Sequence, residues 1–355
     1  MKFIHLSNVN LETDAPGLFP GIDPKKERWD ALKKVVDSCA EQSIDALFIT
    51  GNLFAKRPDT GDLTRLDSLF STLTDTRVFY LTGKNDAPES SKGFGFEWKS
   101  HTTVFTGDSI QRVYLPKYDA EITAVGYCEK TWSRISLSQV TRGKKGTIQI
   151  LLLPFLYDGE TAGGLDSFNP GFDYTGLGQT VLYKGNGKNR VFAPGIFSAE
   201  DFSSQISHGY FLCTATAGKK QEVALTRQFI QGAGREYITL KVGLNPELTY
   251  TDISRQLSGI VDKYGKENIY EIILEGGMSP TVYRKKDGFL DLGYVSRLDD
   301  RTDMDKTVEG FKTYWDDEAV ARFAQALFTS PADELTEKAL AYGMKALYPE
   351  DTVQA

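Results

Sequence analysis

At 355 residues, 40% hydrophobic and 25% charged, the chain has an ordinary globular composition and enough length for two or three domains with a sizeable core. A formal charge of −7 argues against indiscriminate nucleic-acid binding, although a local basic patch remains compatible with it. Cys39, Cys128 and Cys213 show no C-x-x-C spacing and no adjacent histidine. Buried thiols in a reducing cytoplasm are therefore expected, not disulfides or metal ligands. Lys2 and a short apolar run before Ser7 do not make a signal peptide, and the best membrane-span candidate, 148–157, is too short to cross. A cytoplasmic location with no membrane contact is expected.

The first strand-favouring run is Phe3, Ile4 and Leu6, followed by Asn8 and Asn10; alternation on an extended backbone predicts both amides on one face. Asp23 before Pro24 predicts a helix start, and Trp29, Leu32, Val36 and Cys39/Ala40 give that helix one apolar face. A strand at Ala46–Thr50 then runs into Gly51-Asn52-Leu53-Phe54. Leu63, Leu66, Phe70 and Leu73 mark a second amphipathic helix, which leads to a strand at Val78–Leu81 and the turn Thr82-Gly83-Lys84-Asn85-Asp86. Three strand ends carrying polar groups and separated by helices converge at the C-terminal edge of one sheet, where α/β folds place their sites. Taken alone, asparagine beside glycine at a strand end is turn chemistry, because the amide satisfies local backbone groups and tolerates left-handed geometry.

Phe94, Phe96 and Trp98 follow in a glycine-interrupted loop and either meet a partner or fold back onto the domain. Strands are predicted at Val113–Leu115, Glu121–Tyr127, Thr147–Leu153, Asp173–Leu177, Val191–Ala193, Tyr210–Ala215 and Glu222–Ile230. Gly/Lys-rich hairpin turns fall at 143–146, 185–188 and 218–220. His5, His101 and His208 are scattered and read as structural histidines. A boundary at Gly232–Gly234 closes a first domain, 1–234. A second, 235–300, reads as a strand (Glu236–Val242), a helix marked by Ile253, Leu257, Ile260 and Tyr264, and two strands (Asn268–Leu274 and near Leu292–Leu298). Asp299–Lys306 reads as a charged linker opening the last segment, 301–355. Its helical stretches are Asp316–Phe328, with Val320, Phe323 and Leu327 on one face, and Ala332–Leu347, broken near Gly343.

On these strand ends the chain resembles the calcineurin-like metallophosphoesterases, specifically the SbcD/Mre-type DNA repair exonucleases with their bacterial YhaO-like branch. In that family the ends read D-x-H, G-D-L-F and G-N-H-D, followed by a histidine after an apolar strand and a G-H-x-H, and together they hold two divalent metals such as manganese. Ala193-Pro194-Gly195 and His208-Gly209-Tyr210 extend the resemblance. It implies a sandwich of two β-sheets flanked by helices, a small α+β capping domain and a helical C-terminal tail.

Carried over position by position, the first two ligands fall on Asn8 and Asn10 and the bridging aspartate on Asn52. The third motif falls on Lys84 and Asn85, with Asp86 retained but not a direct ligand in the family. The later histidines fall on Pro154, Gln179 and Val181. No ligand position keeps the family's residue, so no catalytic residue is intact and no metal cofactor is expected. Neutral amides offer little to offset the dehydration of two cations, and an ammonium group repels them. A Lys84–Asp86 pair is expected to fill the space that metals occupy in active relatives.

The resemblance further implies a homodimer, a possible contact with DNA, and an SbcC-like coiled-coil SMC-type ATPase gripped by the tail through Val320, Phe323 and Leu327; a tail packed on its own domain is the plain alternative. The expected function is that of a non-catalytic subunit. Two alternatives stand beside it: an active metal-dependent DNA exonuclease or phosphoesterase with a rearranged site, and a cleft that binds a small phosphorylated ligand through Lys84 and the amides of Asn8, Asn10 and Asn52.

Overall fold

The structure, a computed structural model, describes residues 1–14, 19, 22–89, 93–107, 109–127, 139–143, 146–154, 169–178, 184–199, 201–202, 207–218, 222–232, 234–283, 285–303, 322–323, 339 and 342–343. The chain divides into two compact units, Met1–Gly234 and Arg235–Ala355.

The first unit begins with β1 (Lys2–Ser7), α1 (Pro24–Glu41), β2 (Ala46–Thr50), α2 (Thr60–Phe70), β3 (Arg77–Leu81) and β4 (Thr102–Phe105). These four strands pair in parallel in the order of the chain. Both helices start as the sequence dictates. Asp23 caps α1 by accepting the N–H groups of Lys25 and Lys26, and Asp59 with Asp62 forms a reciprocal capping box on α2.

The strands β5 (Gln111–Leu115), β6 (Ala120–Ala124), β7 (Ile148–Leu153), β8 (Tyr174–Leu177), β9 (Lys184–Asn186) and β10 (Val191–Ala193) make a second sheet, ordered β5-β6-β7-β8-β10-β9. The hairpin of β11 (Gly209–Ala217) and β12 (Val223–Gln231) returns antiparallel to β1. It completes a first sheet ordered β12-β11-β1-β2-β3-β4.

Period-two alternation decides which side chains meet. Ile4, Leu6, Leu47, Ile49 and Val78 face α1 and α2, against Trp29, Leu32, Val36, Leu66 and Phe70. Phe3, Phe48, Phe79 and Phe105 point the other way and pack on Ile122, Ile150, Leu152 and Tyr174 of the second sheet. The Phe3–Phe48 and Phe48–Phe79 ring centroids lie 5.0 and 5.5 Å apart, and Phe105 stacks on Phe79 at 6.1 Å. At roughly 2 kcal/mol for each fully buried large apolar side chain, this layer binds the sheets together. Strands buried on both faces lose their alternation, so β2 (ALFIT) and β7 (IQILLL) read as almost continuous apolar runs.

Two strands escape the sequence reading. β4 is four residues long, and β9 overlaps the Gly/Lys turn expected at 185–188; both are edge strands, so pairing on one side places them without an apolar pattern of their own. Residues 93–100 fold back. Phe94 stacks on Tyr80 at 6.2 Å, and both Phe94 and Trp98 lean on the helix-side core. Cys39 and Cys213 are buried free thiols that burial pushes up to about 12; Cys128 lies outside the described residues. Among the described residues, no helix is long and apolar enough to cross a membrane.

The second unit holds β13 (Tyr237–Leu244), α3 (Tyr250–Tyr264), β14 (Ile269–Gly277) and β15 (Tyr294–Asp303), with all three strands parallel in the order β13-β14-β15. Ile253, Leu257 and Val261 of α3 pack on Leu240, Val242, Tyr270, Ile272 and Leu274. Residues 299–303, expected to open a charged linker, are instead the end of β15. Ladder pairing with β14 holds them, Lys286 bonds Asp300 at 2.7 Å, and Arg301 pairs with Asp299.

Among the apolar side chains between the two sheets of the first unit sits His5. It is fully buried, with Nδ1 2.7 Å from the Tyr174 hydroxyl and Nε2 2.8 Å from Thr50 Oγ1, so it bridges the sheets as a neutral ring that burial pushes down to about 3. A folded-state value depressed below the ordinary 6.5 contributes stability that is present above 6.5 and lost as pH falls toward 3. His5→Gln removes this titration. Urea unfolding of wild type and H5Q across that range should show the wild-type advantage shrinking on acidification, and a constant difference would contradict the assignment.

Candidate functional site

β1, β2 and β3 end side by side, and each end is spoken for by the backbone around it. Asn8 and Asn10 lie beyond the end of β1 with φ of +48° and +51°. The expected extended alternation therefore stops at Ser7, and both asparagines adopt the left-handed geometry that this residue type tolerates. Asn8 N–H donates to Thr50 O at 3.3 Å, Asn10 N–H to Asn52 O at 3.1 Å and Leu11 N–H to Leu53 O at 2.8 Å, so 8–11 run alongside 50–53 as a closed seam. Asn8 is 6% exposed, and its Nδ2 donates to Gly195 O at 3.4 Å, an oxygen that also accepts from Ser7 Oγ at 2.5 Å. Asn52 Oδ1 accepts the Asn85 N–H at 3.0 Å.

Asp86 is the centre of this edge. Its carboxylate is fully buried. Oδ2 accepts from Leu53 N–H at 2.6 Å, Phe54 N–H at 3.1 Å and the Tyr80 hydroxyl at 2.7 Å, while Oδ1 accepts from Gly83 N–H at 2.6 Å. Burial raises its carboxyl to about 6, against the opposing pull of those donors. The expected Lys84–Asp86 pair does not form, because Asp86 points inward to four donors while Lys84 and Asn85 stand exposed on the turn above. Tyr80 is the partner that sequence reading missed. Its signal is a tyrosine six positions before the aspartate, on the helix-side face of β3.

Glycine keeps the strand ends close. Gly51 has φ +73°, a Cβ on Gly83 would come within 2.6 Å of Asn52 N, and one on Gly178 would come within 2.6 Å of both Gly51 Cα and Pro154 O. Pro154 is buried at the end of β7 and carries no donor atom that a metal could use. Gln179 and Val181 lie outside the described residues, as do Val320 and Leu327 of the tail. Phe323 is half-buried with its ring over Gly343, where a Cβ would collide with it. Gly343 has helical backbone, and the small residue accommodates the ring.

The donor set does not fit a two-metal centre. Asn52 Oδ1 already accepts a backbone N–H, the one carboxylate is consumed by four donors, and the exposed neighbour is a cation. Among the described residues, no three His, Cys, Asp or Glu side chains gather closely enough to hold a metal ion.

No family model matches the chain, and no curated relative matches it. Among solved structures, the glutamine-dependent NAD+ synthetase from Acinetobacter baumannii in complex with adenosine diphosphate is similar at 10% identity over 98% of this chain and 73% of that one. The TM-score is 0.33, a similarity too slight to bear on fold or activity.

Replacing Asp86 with Asn turns an NH2 group toward N–H donors and should cost about 3 kcal/mol at neutral pH, whereas Lys84→Ala should stay within about 0.5 kcal/mol. A folded-state value raised above the ordinary 3.8 contributes stability that is full below 3.8 and lost as pH rises through about 6. The wild-type advantage over D86N in urea unfolding should therefore narrow across that window. An advantage that widens would place the charge elsewhere.

Proposed function

We propose that the chain is a non-catalytic relative of the calcineurin-like, SbcD/Mre-type phosphoesterases: a structural subunit that dimerises, associates with an SbcC-like coiled-coil ATPase and meets DNA in that company. One observation carries the reading. The ends of three adjacent parallel strands hold Asn8, Asn52 and the Gly83–Asp86 turn where such enzymes carry ligands, and their side-chain groups serve the fold. The two facing sheets with helices on one side, and the separate strand-helix-strand-strand unit, are the layers this reading requires.

Elemental analysis of protein purified without chelator, with a nuclease assay in added manganese, is the test. The expected result is metal well below one equivalent and no cleavage of single- or double-stranded DNA. Two equivalents of a transition metal per chain would reverse the reading.

On the same reading the tail is the docking element for the ATPase, through Val320, Phe323 and Leu327. Removing everything after Asp305 should leave cooperative unfolding of the remaining chain intact and abolish capture of the ATPase in a pull-down. Undiminished capture would move the docking surface off the tail.

A further inference from the structure

At the opposite end of β3 from Asp86, roughly 17 Å away along the strand, the surface opens into a groove of about 350 Å³. Its walls come from three places: the segment entering β3, the residue before β4, and the single helical turn Pro116–Tyr118 that links β5 to β6. Backbone bonds fix each wall. Arg77 N–H donates to Asp45 O at 3.1 Å, Val78 N–H to His101 O at 3.0 Å and Asp119 N–H to Pro116 O at 3.3 Å, so the groove is preformed.

The charges in it are unequally matched. The Tyr118 hydroxyl beside it, and the charges of Asp45 and Asp75 around it, raise the Lys117 ammonium, so that cation already has counter-charge. Arg77 has none. It is half-buried, forms no ion pair with a described carboxylate, and reaches only Thr103 Oγ1, at 3.5 Å, the outer limit of a hydrogen bond. Its guanidinium lies 5.5 Å from the Phe79 ring centroid, which orients the fork without neutralising it. A partly desolvated guanidinium is a pre-set receptor for a planar or tetrahedral oxyanion, which it takes through two parallel N–H bonds. Exposed His101 stands on the same wall, and Leu115, Pro116 and the Tyr118 ring supply an apolar side.

We propose that this groove binds a small organic oxyanion, a phosphate or carboxylate on a compact apolar body, with Arg77 holding the anionic end and Pro116 and Tyr118 flanking the body. The volume lies at the small end of ligand pockets, which fits a body about the size of one ring. The site is separate from the strand-end edge and does not depend on the reading given to that edge.

The test is calorimetric titration and thermal shift on the full chain with phenyl phosphate, benzoate and inorganic phosphate as probes. Saturable binding of phenyl phosphate or benzoate is expected, and whichever binds more tightly names the anion. Arg77→Gln should weaken it about tenfold or more, and Lys84→Ala, at the other end of the strand, should leave it unchanged. Arg77→Lys keeps the charge and loses the fork; it should also weaken binding, and it covers the case in which the glutamine variant does not fold. No saturable response to either organic probe, equal binding by wild type and both Arg77 variants, or inorganic phosphate binding as tightly as phenyl phosphate would each overturn the proposal.

Discussion

One buried carboxylate organises the strand-end edge of the first unit. Asp86 reaches back across the sheet to the two amides that follow β2, to the glycine that follows β3 and to the phenol on β3 itself, so a single side chain fixes the relative positions of two loops and a strand. Its cost is the burial of a charge, seen in the upward displacement of its titration, and four hydrogen bonds offset part of that cost. Everything else on that edge follows from the geometry it imposes. Asn52 caps the next turn, Asn8 ties the end of β1 to Gly195, and glycines stand where a Cβ would force the strands apart.

The consequence for chemistry lies in where the lone pairs point. Metal centres need donor atoms that converge on empty space and lack other partners. Here the described donors converge on backbone N–H groups, and the one free charge at the turn, Lys84, has the wrong sign for a cation. The same economy appears at the end of β15, where a charged run that reads as solvated linker is held in a parallel ladder with β14, its Asp300 and Asp299 paired with Lys286 and Arg301. In both places side-chain charge is used to build the scaffold.

Much of the fold is legible in the sequence, for identifiable reasons. Asp23-Pro24 announces a helix because capping is local chemistry, Leu63, Leu66 and Phe70 announce another by their spacing, and runs such as Ala46–Thr50 announce strands because both of their faces are buried. β4 and β9 are not legible, since an edge strand takes its structure from a neighbour distant in sequence. At the site, the positions of Asn8, Asn52 and Asp86 were readable and their orientations were not. Left-handed backbone at Asn8 and Asn10, and the inward turn of Asp86 toward Tyr80, depend on contacts between segments that no local pattern encodes. The groove at Arg77 left no sequence trace, because its three walls lie up to about forty residues apart and share no motif.

The place of β1 in its sheet bears on how the chain acquires its shape. β1 lies between β2 and β11, with Lys2 opposite Thr214 and Met1 N bonded to Ala215 O at 2.8 Å, so this strand is completed by one made more than two hundred residues later. During synthesis at about 5–20 residues per second, that edge waits ten seconds or longer with its hydrogen-bonding groups open and Phe3 uncovered. Separations of this size put loop closure before any reward and make folding slow. Until β11 arrives, β1 has an open edge of the kind that pairs with other chains, so the completion of this sheet depends on residues 209–217 as much as on residues 2–7.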